Sequence, residues 1–125
     1  MIVVGMGWRR AALVEPALEL LARSVGMAGG QAPDFIAVPD FKAGDDMPHV
    51  LARAWGAGVL WIGRAQLQQV QSACPTASLT VLGHVGLASV AEACALAGAG
   101  EGAHLCLPRQ ILCGVTCAVA RGDRT

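Results

Sequence analysis

Four stretches of this sequence gather the residue types that recognise small charged molecules. They are Gly5-Met6-Gly7-Trp8-Arg9-Arg10, Asp40-Phe41-Lys42, Gly63-Arg64 and Gly83-His84-Val85-Gly86. Each follows an apolar run short enough to be a buried strand, and in an open parallel sheet the loops at the carboxyl ends meet helix N-termini with unpaired N–H groups. Together they hold four of the chain's nine basic residues. Arginine and lysine form charge-assisted hydrogen bonds to carboxylate or phosphate, so the chemistry suggested is capture of an anion.

The first stretch opens like a dinucleotide-binding fingerprint, but Arg10 occupies the place of the third glycine and no acidic residue closes a second strand at the expected distance. The plain alternative is that Gly5 and Gly7 make a tight turn and the arginines are solvated. Lys42 is the only lysine in the chain, and reads either as a surface charge or as a third cation beside Arg9 and Arg10. Ser89-Val90-Ala91-Glu92 has the form of a capping box, in which Ser89 and Glu92 satisfy each other's backbone N–H groups. The functional alternative is that this helix start helps hold a ligand carboxylate. His84, between glycines, has the setting of an acid or base, yet no nucleophile at a recognisable spacing accompanies it. His49 and His104 have no ligand-like spacing to each other or to a cysteine.

These residues need a scaffold, and the hydrophobic pattern supplies one. Met1 to Val4 reads as a first strand, ended by the Gly5-Met6-Gly7 loop. Leu13, Ala17, Leu20, Leu21 and Ser24 recur at helical spacing, with Pro16 in the first turn and Gly26 at the stop. Asp34 to Val38 reads as a second strand, and Asp45-Asp46 opens a helix whose inner face is Val50, Leu51, Ala54 and Trp55. Val59 to Ile62 is a third strand, Ala65 to Ser72 a short Gln-rich helix, Cys74-Pro75-Thr76 a loop, and Leu79 to Leu82 a fourth strand. Ser89 to Gly98 is nearly all small and apolar, so it predicts the most buried helix. Leu105 to Leu107 and Val115 to Ala120 are strands joined by a stretch without helical pattern, which predicts an antiparallel hairpin. The expected fold is α/β, a three-layer α/β/α domain over residues 1–125 with a mostly parallel mixed sheet ending in that hairpin.

Composition narrows the function classes. Hydrophobic residues make up 54% and charged ones 14% of the 125 residues, which excludes a disordered chain and requires helices covered on more than one side. Nine basic and nine acidic residues cancel, so there is no general attraction to nucleic acid or to an anionic membrane, and an anion site must be local. No apolar stretch reaches the roughly 20 residues of a membrane span, which predicts a cytoplasmic protein. The five cysteines are expected to be reduced and mostly buried. On one strand Cys113 and Cys117 would stand roughly 13 Å apart, too far to share a metal. Neither a cofactor nor a metal is expected.

Taken in order and spacing, further segments carry a resemblance. Gly5 to Arg10, Ile36 to Lys42, Gly86-Leu87-Ala88-Ser89-Val90-Ala91-Glu92-Ala93-Cys94-Ala95-Leu96, Leu105 to Gln110 and Gly114 to Ala120 resemble the family formed by CobE and the C-terminal domain of CbiG, from cobalamin (vitamin B12) biosynthesis. Trp8 stands where the family pattern commonly has Cys, and Arg109 where it commonly has Lys, which keeps the charge.

The resemblance implies a precorrin-type tetrapyrrole as the ligand, in the aerobic corrin pathway. Such a molecule carries many carboxylates around an apolar macrocycle and calls for spaced cations and an apolar floor. Arg9, Arg10, Lys42 and Arg109 would supply the cations and Trp8 the floor, with Gly5, Gly7, Asp40, Ser89 and Glu92 around them. The alternatives are an enzyme that opens a lactone-bearing precorrin, as CbiG-like proteins are associated with doing, in which Lys42, His84 or Glu92 would assist, and a non-enzymatic partner of a pathway methyltransferase. Other enzymes of the pathway are possible partners in either case.

Overall fold

The computed structural model describes residues 1–70 and 87–122. The first strand, β1 (Ile2–Trp8), is followed by α1 (Val14–Met27), β2 (Phe35–Pro39), a 3₁₀ turn (Asp40–Lys42), α2 (Met47–Trp55), β3 (Gly58–Ile62), α3 (Arg64–Val70), α4 (Leu87–Ala99), β4 (His104–Leu112) and β5 (Val115–Arg121). The strand order is β3-β2-β1-β5-β4. β1, β2 and β3 run parallel, β5 runs antiparallel to β1, and β4 pairs antiparallel with β5. The mixed α/β sheet and its terminal hairpin are as the pattern predicts. The expected strand at Leu79 to Leu82 and the loops at Cys74-Pro75-Thr76 and Gly83 to Gly86, with His84, lie outside the described residues.

Side-chain alternation along β1 divides the core in two. Ile2, Val4, Met6 and Trp8 face α1 and α2, where they pack with Ala17, Leu20, Leu21 and Leu51. Val3 faces the other way, toward Val90, Ala91, Cys94 and Ala95 of α4. This period of two places helices on both faces of the sheet. α4 is the most buried helix, with Val90 through Leu96 all buried, and α3 packs against it.

The structure corrects four local expectations. β1 continues through Gly5, Gly7 and Trp8, pairing with β5 along its whole length, so these glycines sit in a strand and not in a loop. A Cβ at Gly5 would collide with the Ala91 carbonyl and the Ala95 backbone; glycine is required because α4 lies directly on it. α1 runs one residue past Gly26, and the left-handed backbone that follows belongs to Gly29 and Gly30, at φ 117° and 81°. In α2 the buried residues are Met47, Pro48, Leu51 and Ala52, whereas Val50 and Ala54 are exposed. Met47 and Pro48 in the first turn pull the buried face round toward the sheet. Finally, Cys113 is exposed in the two-residue hairpin turn and is not part of a strand. With φ of 49° at Cys113 and 79° at Gly114, this turn has the doubly left-handed backbone that suits the twist of a hairpin.

Candidate functional site

The carboxyl ends of β1, β2 and β3 and the β4–β5 turn share one edge of the sheet, because Trp8 pairs with Val115 and Val115 with Leu112. Trp8 closes β1 at this edge. It is only 2% exposed, since its ring completes the apolar row of Ile2, Val4 and Met6 against α1 and α2. Its one polar atom is satisfied, as buried indole N–H groups usually are. Nε1 donates to Asp45 Oδ2 at 2.8 Å. Above the same ring stands the Lys42 ammonium, 5.4 Å from the centroid, within the range where a cation is attracted by the electron-rich face.

Local backbone brings Lys42 and Asp45 to this point. Pro39 ends β2 in an extended conformation, and the 3₁₀ turn follows at once. Ala43 N–H donates to the Asp40 carbonyl and Asp45 N–H to the Lys42 carbonyl, both at 3.0 Å. Two consecutive tight bonds fold the segment back over the end of β1, so both Lys42 and Asp45 reach Trp8, one at the ring face and the other at its N–H.

Arg9 and Arg10 follow Trp8 and are exposed. The Arg9 N–H donates to the Gly114 carbonyl at 2.9 Å, and its aliphatic stem runs along Gly114, tying the end of β1 to the hairpin turn. Among the described residues the one ion pair is the surface pair Arg23–Glu19. Arg9, Arg10, Lys42 and Arg109 make none there. Phe41, beside Lys42, is 64% exposed. The apolar face shown to solvent here is therefore Phe41, not the buried Trp8 that the resemblance implied as a floor. Asp40 is exposed, with its carboxylate toward Gly63.

Ser89, Glu92 and Arg109 are arranged differently. α4 already includes Leu87, so Ser89 stands inside its first turn and not ahead of it. Glu92 is fully buried, and its Oε2 accepts from the Arg109 backbone N–H at 3.0 Å. β4 shifts register between Leu107 and Gln110, which takes this part of the strand out of the regular ladder, and Pro108 brings no N–H of its own. Glu92 supplies the acceptor that the irregular strand lacks. Arg109 is on the outer strand of the sheet, three strand spacings or about 14 Å from β2, so only a ligand that spans the edge would meet it together with Lys42.

The structure thus brings Arg9, Arg10, Lys42 and Asp40 to one edge, sets Arg109 apart, and places Gly5 under α4. Phe41 and Asp45 were missed as site residues. Asp45 is 37 positions from Trp8, and no local spacing signals that meeting. A cavity of about 530 Å³ occurs at the opposite edge, among Met1, Ile2, Gln31, Asp34 and Arg121. Its polar groups already serve the chain: Asp34 accepts from Ile2 N–H, Arg121 donates to Gln31, and the Met1 ammonium donates to Gly122. At the carboxyl edge, by contrast, Arg9, Arg10 and Lys42 make no ion pair among the described residues. No described helix is long and apolar enough to cross a membrane.

Comparison with known proteins agrees with the resemblance in the sequence. A search of curated proteins finds no match. The crystal structure of cobalamin biosynthesis protein chiG from Agrobacterium tumefaciens str. C58 is 31% identical, with a TM-score of 0.74, covering 99% of this chain and 100% of that one. CobE, a protein of the cobalamin (vitamin B12) biosynthetic pathway, is 28% identical with a TM-score of 0.85, covering 99% of this chain and 95% of that one. Residues 2–120 match the family of the cobalamin synthesis G C-terminus, and the chain therefore belongs to this CobE and CbiG type of cobalamin biosynthesis protein.

Proposed function

We propose that the protein binds a precorrin-type tetrapyrrole of the aerobic corrin pathway at the carboxyl edge of its sheet. The observation that carries this reading is the group of cations at the end of β1: Lys42 over Trp8, and Arg9 and Arg10 directly after Trp8 in the chain and exposed, none ion-paired among the described residues. Cations without a carboxylate partner remain available to the acetate and propionate groups of such a ligand. Phe41, largely exposed beside them, gives the macrocycle an apolar contact. Membership of a cobalamin biosynthesis family supplies the ligand class.

The test is a titration with a precorrin followed by absorbance at rising ionic strength, with mass analysis of the recovered pigment. Surface charge pairs are screened and apolar burial is not. Affinity should fall with salt and then level off, and the pigment should keep its mass. Affinity indifferent to salt refutes the cationic site. A pigment that changes mass on incubation replaces binding with catalysis on a lactone-bearing precorrin.

A further inference from the structure

Among the described residues, Lys42 is the one cation of this edge whose charged end is held by the protein. A lysine chain is flexible, and an exposed ammonium samples many positions. Here its Nζ is placed over the Trp8 ring; the ring is packed in the core, and the bond from its Nε1 to Asp45 sets the orientation of the face it offers. A carboxylate that accepts the indole N–H also pushes electron density into the ring, which strengthens the attraction of its face for a cation. Asp45 is only partly buried and makes no direct ion pair with Lys42. It therefore orders the ammonium through the ring and leaves the N–H groups of Lys42 free of a carboxylate contact from Asp45.

We propose that Asp45 is a positioning residue for the anion site: through the Trp8 indole it fixes Lys42 at the mouth of the edge, ready for a carboxylate of the ligand. The ligand part of this rests on the function proposed above; the positioning part stands on the Asp45–Trp8–Lys42 geometry. Asn can keep the bond, because its amide oxygen also accepts the indole N–H. Ala cannot.

Because Lys42 is the only lysine, reductive methylation with ¹³C-formaldehyde gives one side-chain dimethylammonium signal in an NMR spectrum. The terminal amine is identified by its persistence in Lys42→Ala. In the parent the Lys42 signal should carry a ring-current shift from Trp8. Asp45→Ala should return it to the position of an unstructured lysine, and Asp45→Asn should keep most of the shift. Unmodified Asp45→Ala should bind a precorrin about five-fold more weakly, the loss of roughly one cation–π contact, Asp45→Asn should recover most of that, and Asp45→Ala should add nothing to Lys42→Ala.

A Lys42 signal unmoved by Asp45→Ala overturns the positioning role whatever the titrations give. A further loss on adding Asp45→Ala to Lys42→Ala overturns it too, because Asp45 would then act by another route. If the signal collapses as expected while Lys42→Ala binds the pigment like the parent, the positioning stands and the ligand part of the proposal, Lys42 as a contact of a ligand carboxylate, falls.

Discussion

Glu92 offers the sharpest check on how α4 and the hairpin are joined. Its carboxylate is fully buried and accepts the Arg109 N–H at 3.0 Å, at the place where β4 leaves its regular register with β5. Glu92→Ala removes a hydrogen bond to a charged group, worth about 1.5 to 3 kcal/mol, and leaves a backbone donor unpaired. Truncating a buried side chain adds the loss of its packing. The sum should be about 2 to 4 kcal/mol. Glu92→Gln behaves differently, because an amide oxygen can still accept the Arg109 N–H. It should stay within about 1 kcal/mol of the parent. Denaturant melts of the three proteins give these differences, and amide exchange at Arg109 should accelerate in Glu92→Ala alone. If Gln costs as much as Ala, the retained acceptor is not what matters, and the explanation of this bulge is wrong.

Four shorter predictions follow from the same geometry. Gly5→Ala should destabilise by about 1 to 3 kcal/mol or prevent folding, since its methyl group meets the backbone of α4; thermal melts decide it. Cys113→Asn should raise stability by about 0.5 to 1 kcal/mol, because asparagine tolerates the positive φ of the turn better than cysteine does. Burial pushes the Cys117 thiol from its ordinary 9.0 up to about 12. Ser24 Oγ is buried without a hydrogen-bond partner of good geometry, so its contact with the thiol offsets the burial only in part. The folded chain keeps this proton where the unfolded chain has lost it, so the stability it confers is full below pH 9 and declines as pH rises from about 9 to about 12. Melts across that range should slope downward in the parent and flatten in Cys117→Ala. Finally, Phe41→Ala should weaken pigment binding chiefly at high salt, where the apolar part of the affinity is what remains; the titration series reads it.

What the sequence reveals and conceals follows from how far apart the partners are. The strands β1, β2 and β3, the helices between them and the final hairpin were legible because each depends on a local run of apolar residues and a nearby turn. The burial of α4 was legible in its run of small residues. The role of Gly5 was not, because a glycine after a short apolar run reads as a loop until Ala91 and Ala95 are known to lie against it. The same holds for Trp8. An aromatic residue between a glycine and two arginines looks exposed, yet strand alternation carries it to the face covered by α1 and α2. Arg9, Arg10 and Lys42 could be placed near one another from the rule that strand ends carry sites. The indole that organises Lys42, and the carboxylate that holds the indole, join segments 37 positions apart. Val50 was misassigned on a shorter scale, because the spacing in α2 fits two neighbouring faces and only the buried Met47 and Pro48 choose between them.

The central claim is that the cations at the end of β1 bind the carboxylates of a tetrapyrrole. Titration of a precorrin into the parent, Arg9→Ala, Arg10→Ala and Lys42→Ala, followed by absorbance at low salt, tests it most directly. Each substitution removes one charged hydrogen bond, about 1.5 to 3 kcal/mol, and should weaken binding roughly ten-fold or more while the protein stays folded, the thermal melt falling by no more than a lost surface contact explains. Three variants that bind the pigment as tightly as the parent would contradict the claim.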